Sequence, residues 1–105
     1  MVSLEEFKRL DIKIGVVTSA EKVTEKLIKF IFDVGDHKIQ IMAGMAEFFE
    51  DTSKLIGKKM PILANIESAK FRGFESNGMI IAADFDNKPV FLIPETDVSP
   101  GTKVR

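Results

Sequence analysis

Cysteine is absent from this 105-residue chain, so neither a disulfide framework nor a thiolate metal site nor a cysteine nucleophile can be built from it. Histidine occurs once, as His37, beside a Gly35-Asp36 turn signal where an exposed turn residue is expected, and no convergent ligand set accompanies it. There is no glycine-rich phosphate loop, no Ser/His/Asp set and no His-Glu-x-x-His helix. The carboxylate pairs Glu5-Glu6 and Glu50-Asp51 fall in polar, surface-like segments, where solvation accounts for them. Catalysis, a metal centre and a cofactor are therefore not expected. No apolar run approaches the ~18 residues that a membrane-spanning helix needs, and the chain opens on an acidic amphipathic segment in place of a basic, apolar export signal. No membrane partner and a cytoplasmic location are expected.

An excess of positive charge is missing as well, with 15 Lys and Arg against 16 Asp and Glu and a net charge of −1. That balance argues against a uniformly basic nucleic-acid binder, but a phosphate backbone responds to the local field. Between residues 58 and 72, Lys58, Lys59, Lys70 and Arg72 stand against Glu67 alone. Hydrophobic residues make up 45% and charged residues 30%, which suits a globular chain with a packed core and predicts a single domain over residues 1–105.

Ser3-Leu4-Glu5-Glu6 fits a capping box, and Leu4, Phe7 and Leu10 follow at helical spacing. A short helix with one apolar stripe is predicted. The stripe either closes the end of the domain or, where Leu4 and Phe7 stay exposed, offers a dimer contact. From Asp11 the period becomes two, with Ile12, Ile14 and Val16 on one face and Lys13, Gly15 and Val17 on the other, and Gly15 marking a bend or bulge. Residues 27–33 form the second strand, whose apolar face is Ile28, Phe30 and Phe32. Gly35-Asp36 turns it into a third strand carrying Ile39 and Ile41, so the two make a hairpin. A helical turn over 45–50 precedes a fourth strand at 60–66, a fifth at 79–84 and a short sixth at 89–93, after an Asp86-Asn87 turn. The predicted fold is mainly β: a five-stranded oligonucleotide/oligosaccharide-binding (OB) barrel with a short N-terminal helix, a helical segment between strands three and four, and a C-terminal extension.

Residues 65–79, Asn-Ile-Glu-Ser-Ala-Lys-Phe-Arg-Gly-Phe-Glu-Ser-Asn-Gly-Met, break this alternation and read as a working loop. Phe71 and Phe74 offer stacking platforms, Lys70 and Arg72 offer cations for phosphate, and Asn65 and Ser76 offer groups that read a base edge. Taken singly, each has a plainer role: a phenylalanine plugging the core, solvated cations, an asparagine bonding backbone at a strand end, and Met79 as core filler. Their concurrence in the most basic window favours a binding surface.

The stretch from Ile56-Gly57-Lys58-Lys59-Met60 through Ala64-Asn65-Ile66 and on to Ala69-Lys70-Phe71-Arg72-Gly73-Phe74-Glu75-Ser76-Asn77-Gly78-Met79 closely resembles the signature half of the tRNA-binding domain family. Residues 7–15, Asp33-x-Gly35 with Gln40-Ile41, and the closing Pro-Gly-Thr-Lys-Val resemble its other segments. The resemblance implies an OB-type barrel that binds tRNA by shape, with little sequence preference, and pairs as a homodimer. It places Asn65, Lys70, Arg72, Ser76 and Met79 on the presumed RNA-binding face, with Lys13, Lys58 and Lys59 nearby. It also admits a non-catalytic beta subunit of methionyl-tRNA synthetase, with a synthetase catalytic chain as partner. Where the family has His-Pro and Ala-Asp-Lys-Leu after the first strand, only Lys26-Leu27 is kept here, and Ile39 stands where an arginine is usual. Lys70 and Arg72 are accordingly expected to carry a large share of any binding. Two other readings stand beside this one: a peptide-binding, chaperone-like dimer of the same fold, and an adaptor that docks a synthetase.

Overall fold

The computed structural model describes residues 1–105. Its first element is α1 (Leu4–Lys8), started by the expected reciprocal cap: Ser3 Oγ accepts from Glu6 N and Glu6 Oε1 accepts from Ser3 N, each at 3.1 Å. No residue of α1 is buried, so the apolar stripe does not close the domain. The strands follow as β1 (Ile12–Lys22), β2 (Ile28–Asp33), β3 (Lys38–Ala43), β4 (Lys59–Leu63), β5 (Ala69–Phe71), β6 (Phe74–Ser76), β7 (Met79–Ile80), β8 (Ala82–Phe85) and β9 (Lys88–Phe91). Two 3-10 turns, Ala46–Phe48 and Thr52–Leu55, occupy the expected helical segment between β3 and β4.

Five strands pair antiparallel in the order β3-β2-β1-β4-β7. The β5–β6 hairpin then folds back on β3, where Asn77 N donates to Gln40 O at 2.8 Å and Met42 N donates to Ser76 Oγ at 3.0 Å. These bonds bring the open edges together into a nearly closed barrel of OB type. Inside it lie Phe30 and Phe32, 5.6 Å apart ring to ring, with Val17, Ile28, Ile41, Met60 and Ile62.

In β1 the alternation works differently from its sequence reading. The core takes Val17, and Gly15 faces inward with it, since a Cβ there would lie 3.0 Å from Phe32 Cδ1. Ile12 and Ile14 are buried outside the main cluster. Gly15 thus makes room for the Phe32 ring, and the bulge falls between Val17 and Ser19, inside the β1–β2 ladder and just past Val16, where the pairing with β4 ends.

The expected fifth strand is also split. Ile81 N still donates to Pro61 O at 3.1 Å, but Pro61 has no N–H to return, and beyond that point β8 leaves the barrel to pair with β9. The β8–β9 hairpin is held to the barrel by Phe91, whose ring stacks on Phe49 at 5.4 Å. The tail runs along the free edge of β1, with Ile14 N donating to Thr102 O at 2.9 Å and Val104 N to Ile12 O at 2.8 Å. Gly101, at φ 90, makes this possible, since a Cβ there would sit 2.3 Å from Val34 O.

Candidate nucleic-acid interface

Residues 65–79 are more ordered than a loop. Phe71 pairs with Phe74 across a two-residue turn, Arg72-Gly73, whose positive φ values of 54 and 85 are those of a type I′ hairpin. Side chains alternate along the hairpin, so Phe71, Phe74 and Ser76 share one face and Lys70 and Glu75, directly opposite each other, share the other. Phe74 is half-buried, with Lys29 Nζ of β2 5.9 Å from its ring centroid. Neither Phe71 nor Phe74 enters the core, and Phe71 is 46% exposed.

The hydrogen-bonding residues of the predicted site are spent on the frame. Asn65 Oδ1 accepts from Asp11 N at 2.8 Å while its Nδ2 donates to Arg9 O at 2.7 Å, which bridges the end of β4 to the segment before β1. Ser76 is buried; its hydroxyl accepts from Met42 N and donates to Gly78 O at 3.2 Å. Both shape the site, and neither presents a free polar group. Gln40 was not singled out for the site by sequence, although its side chain donates to Glu75 O at 2.8 Å and its carbonyl holds Asn77. Its place in the Gln-Ile pair was the available signal.

The cations divide into two groups. Lys59 Nζ reaches Asp97 Oδ1 at 2.7 Å and Val98 O at 2.6 Å, and this bond holds the Asp97 carboxyl below the usual carboxylate range. Lys13 lies 3.2 Å from Asp11, which also meets Lys103 at 3.1 Å. Partial burial would push the Asp11 carboxyl up, but hydrogen bonds from Lys103 and Lys13 outweigh it and hold the carboxyl low. Lys13 and Lys59 are therefore already neutralised. Lys58, Lys70 and Arg72 are exposed and carry no salt bridge. Met79 is 46% exposed at the sheet edge in place of the core.

The fold adds two lysines that sequence reasoning did not assign to the site. The β1–β2 connection lies against the β5–β6 turn, and between them is a cleft of about 460 Å³ lined by Thr24, Glu25, Lys26, Leu27, Phe71 and Arg72. Lys26 thus stands beside Arg72, and Lys29 beside Phe74. Lys29 also meets Glu21 at 3.9 Å, whereas Lys26 carries no salt bridge. An aromatic platform flanked by cations is chemically suited to the sugar-phosphate frame and unpaired bases of RNA.

Residues 12–103 match the family described as "Putative tRNA binding domain". Over 105 residues the chain is 51% identical to the methionine–tRNA ligase of Archaeoglobus fulgidus, which covers 98% of this chain and 16% of that protein. The chain spans about 16% of the length of the curated ligases it matches. A MetRS-related protein from Pyrococcus horikoshii superposes with a TM-score of 0.92 at 34% identity, covering 100% of this chain and 98% of that one. The chaperone CsaA of Bacillus anthracis superposes with a TM-score of 0.89 at 27% identity, covering 100% and 99%. What the chain shares with the ligases is a binding domain and not a catalytic one. On the family match and the resemblance to these proteins, the chain belongs to the tRNA-binding domain family.

Proposed function

We propose that residues 1–105 act as one tRNA-binding unit that holds the tRNA body by shape, through the β5–β6 turn and the β1–β2 connection. The observation that carries this reading is the pair of cations without a salt bridge, Lys26 and Arg72, that line one cleft with exposed Phe71, with Lys70 equally free on the other face of the same hairpin. Asn65 and Ser76 contribute by fixing the loop, Met79 and Lys58 extend the surface, and Lys13 and Lys59 stay with their carboxylates unless RNA displaces these. Binding of bulk tRNA should weaken steeply between low and moderate salt, as counterion release requires. Lys70→Ala and Arg72→Ala should each lower affinity across different tRNAs and reduce the salt slope by about 1. Binding that ignores salt, or no binding at low salt, removes the proposal.

The same unit is proposed to pair as a homodimer through α1, supported by Leu4 at 66% and Phe7 at 37% exposure. Light scattering should give twice the 11.7 kDa chain mass, and a monomer at working concentration refutes it. The similarity to methionine–tRNA ligases supports a setting beside a methionyl-tRNA synthetase catalytic centre, as its non-catalytic tRNA-binding part or as an adaptor docked on it. Co-purification of a synthetase that survives nuclease treatment tests this.

A second reading, a peptide-binding and chaperone-like dimer, is supported by the resemblance to CsaA and by an apolar groove of about 290 Å³ lined by Met45, Phe48, Ile80, Ala82 and Ala83. It expects the protein to slow aggregation of an unfolded client in the presence of excess tRNA. Failure to slow it leaves the RNA reading alone.

A further inference from the structure

The cleft between the β1–β2 connection and the β5–β6 turn holds an acid among its cations. Glu25 lines it with Lys26, Phe71 and Arg72, and its carboxylate makes no salt bridge. A surface that only had to hold phosphates would be weakened by a carboxylate at this point, because like charges repel across an interface. The backbone that carries the acid is nevertheless firmly placed. Thr24 Oγ1 accepts from Lys26 N at 3.2 Å and from Leu27 N at 3.0 Å, Val23 N donates to Leu27 O at 2.9 Å, and Ala46 N donates to Lys26 O at 3.1 Å. Backbone bonds therefore pin the chain on both sides of Glu25.

The opposite wall is held under strain. Arg72 occupies the left-handed region at φ 54, where a residue other than glycine costs about 1 kcal/mol or more. The β8–β9 turn meets a similar demand with Asp86 at φ 52 and Asn87 at φ 60, residue types that tolerate it. At the cleft the tolerant residue is replaced by a long cation, and the β5–β6 pairing that this turn closes holds it there.

We propose that this cleft takes one unpaired guanosine nucleotide of the bound RNA. Glu25 accepts from N1–H and N2–H of the guanine edge, Phe71 lies against the base, and Lys26 and Arg72 meet the adjoining phosphates. A carboxylate is acceptor-only, and guanine alone presents two adjacent donors on its pairing edge, which a carboxylate meets with two parallel bonds. Uracil presents one donor between two acceptors, and adenine and cytosine each set an acceptor nitrogen beside a single amino group. A volume of about 460 Å³ falls in the range of small-ligand pockets. This inference rests on the tRNA-binding reading above and adds one base-reading point to an otherwise sequence-tolerant contact.

The test is fluorescence anisotropy with labelled single-stranded pentaribonucleotides of sequence UUNUU, where N is G, A, C or U, alongside bulk tRNA at low salt. The wild type should bind the G pentamer about tenfold more tightly than the U pentamer, as a bidentate pair implies. Glu25→Gln should bring that ratio below about twofold while leaving the U pentamer as tight or tighter, and Glu25→Asp should keep a preference for G. Glu25 is exposed, so these changes leave the fold intact. Equal affinity for the four pentamers in the wild type overturns the proposal. So does a parallel tightening of all four in Glu25→Gln, which would make the carboxylate a simple repulsive charge. If tRNA binds but the pentamers show no ranking, only the base-reading inference falls; if tRNA itself does not bind, the functional reading falls with it.

Discussion

Replacing Ser76 by alanine removes one oxygen and changes almost nothing else, which makes it the sharpest probe of how the binding loop is held. Ser76 Oγ is the acceptor for Met42 N at 3.0 Å, and the residue is only 4% exposed. In Ser76→Ala the Met42 amide is left in the closed seam between β3 and β6 with no partner. An unsatisfied buried donor costs about 1–3 kcal/mol, against a net worth of about 0.5–1.5 kcal/mol for a typical hydrogen bond. The Gly78 carbonyl also loses its donor but keeps a second lone pair for other partners, so a central value of about 2 kcal/mol follows. For a chain of 105 residues, an unfolding entropy near 2.1 cal/mol/K per residue converts this into a fall in Tm of about 9 °C. Thermal unfolding followed by circular dichroism measures it. Below the transition, tRNA affinity should stay within about twofold of the wild type, because the hydroxyl faces inward and touches no ligand. A fall in Tm of less than about 2 °C would refute the reasoning, since it would mean that the Met42 amide has another acceptor. A large loss of affinity with unchanged Tm would instead make Ser76 a direct contact.

Asn65→Ala should cost about 1–2 kcal/mol, because one carboxamide serves both Asp11 N and Arg9 O, and exchange of the Asp11 amide should accelerate in the variant; an unchanged exchange rate argues against the bridge. Acid should loosen the tail. The carboxyls of Asp97 and Asp11 are both held below the usual value of about 3.9. A group depressed in this way contributes stability that is complete above its unfolded value and is lost as the pH falls through its folded value. The amides of Thr102 and Val104 should therefore stay protected down to about pH 4 and lose protection below it. Protection that persists unchanged to about pH 2 would show that backbone pairing alone holds the tail.

The alternation of β2 and β3, the turn signals at Gly35-Asp36 and Asp86-Asn87, and the capping box of α1 all formed as read, because each depends on residues a few positions apart. Gly15, read as a bend or bulge, and Pro61, which by itself suggests an edge or an early position in the ladder of its strand, carried their signal but not its meaning. That Gly15 clears a phenylalanine ring, and that Pro61 ends a ladder at Ile81, depends on partners that lie 17 and 20 positions away. At the site, residue types and local charge were enough to mark residues 65–79 and to name Lys70 and Arg72 as its cations, but they offered Phe71 and Phe74 alike and left one of them to the core, which neither enters. They were not enough to separate free groups from spent ones. Asn65 is committed to backbone 54 and 56 residues distant, and Lys59 is paired with Asp97, 38 residues on. No local pattern encodes such pairings. The cleft belongs to the tertiary structure as well: Glu25 and Lys26 meet Phe71 and Arg72 only because the barrel closes β6 onto β3 and lays the β5–β6 turn beside the β1–β2 connection. Composition and periodicity thus determined the fold class, the candidate stretch at residues 65–79 and the absence of cysteine chemistry, all of which are properties of neighbouring residues. Which cations remain free, which polar groups are used up and where an acid sits among them were decided by barrel closure, because long-range hydrogen bonds and ion pairs exist only once distant strands have been brought within reach.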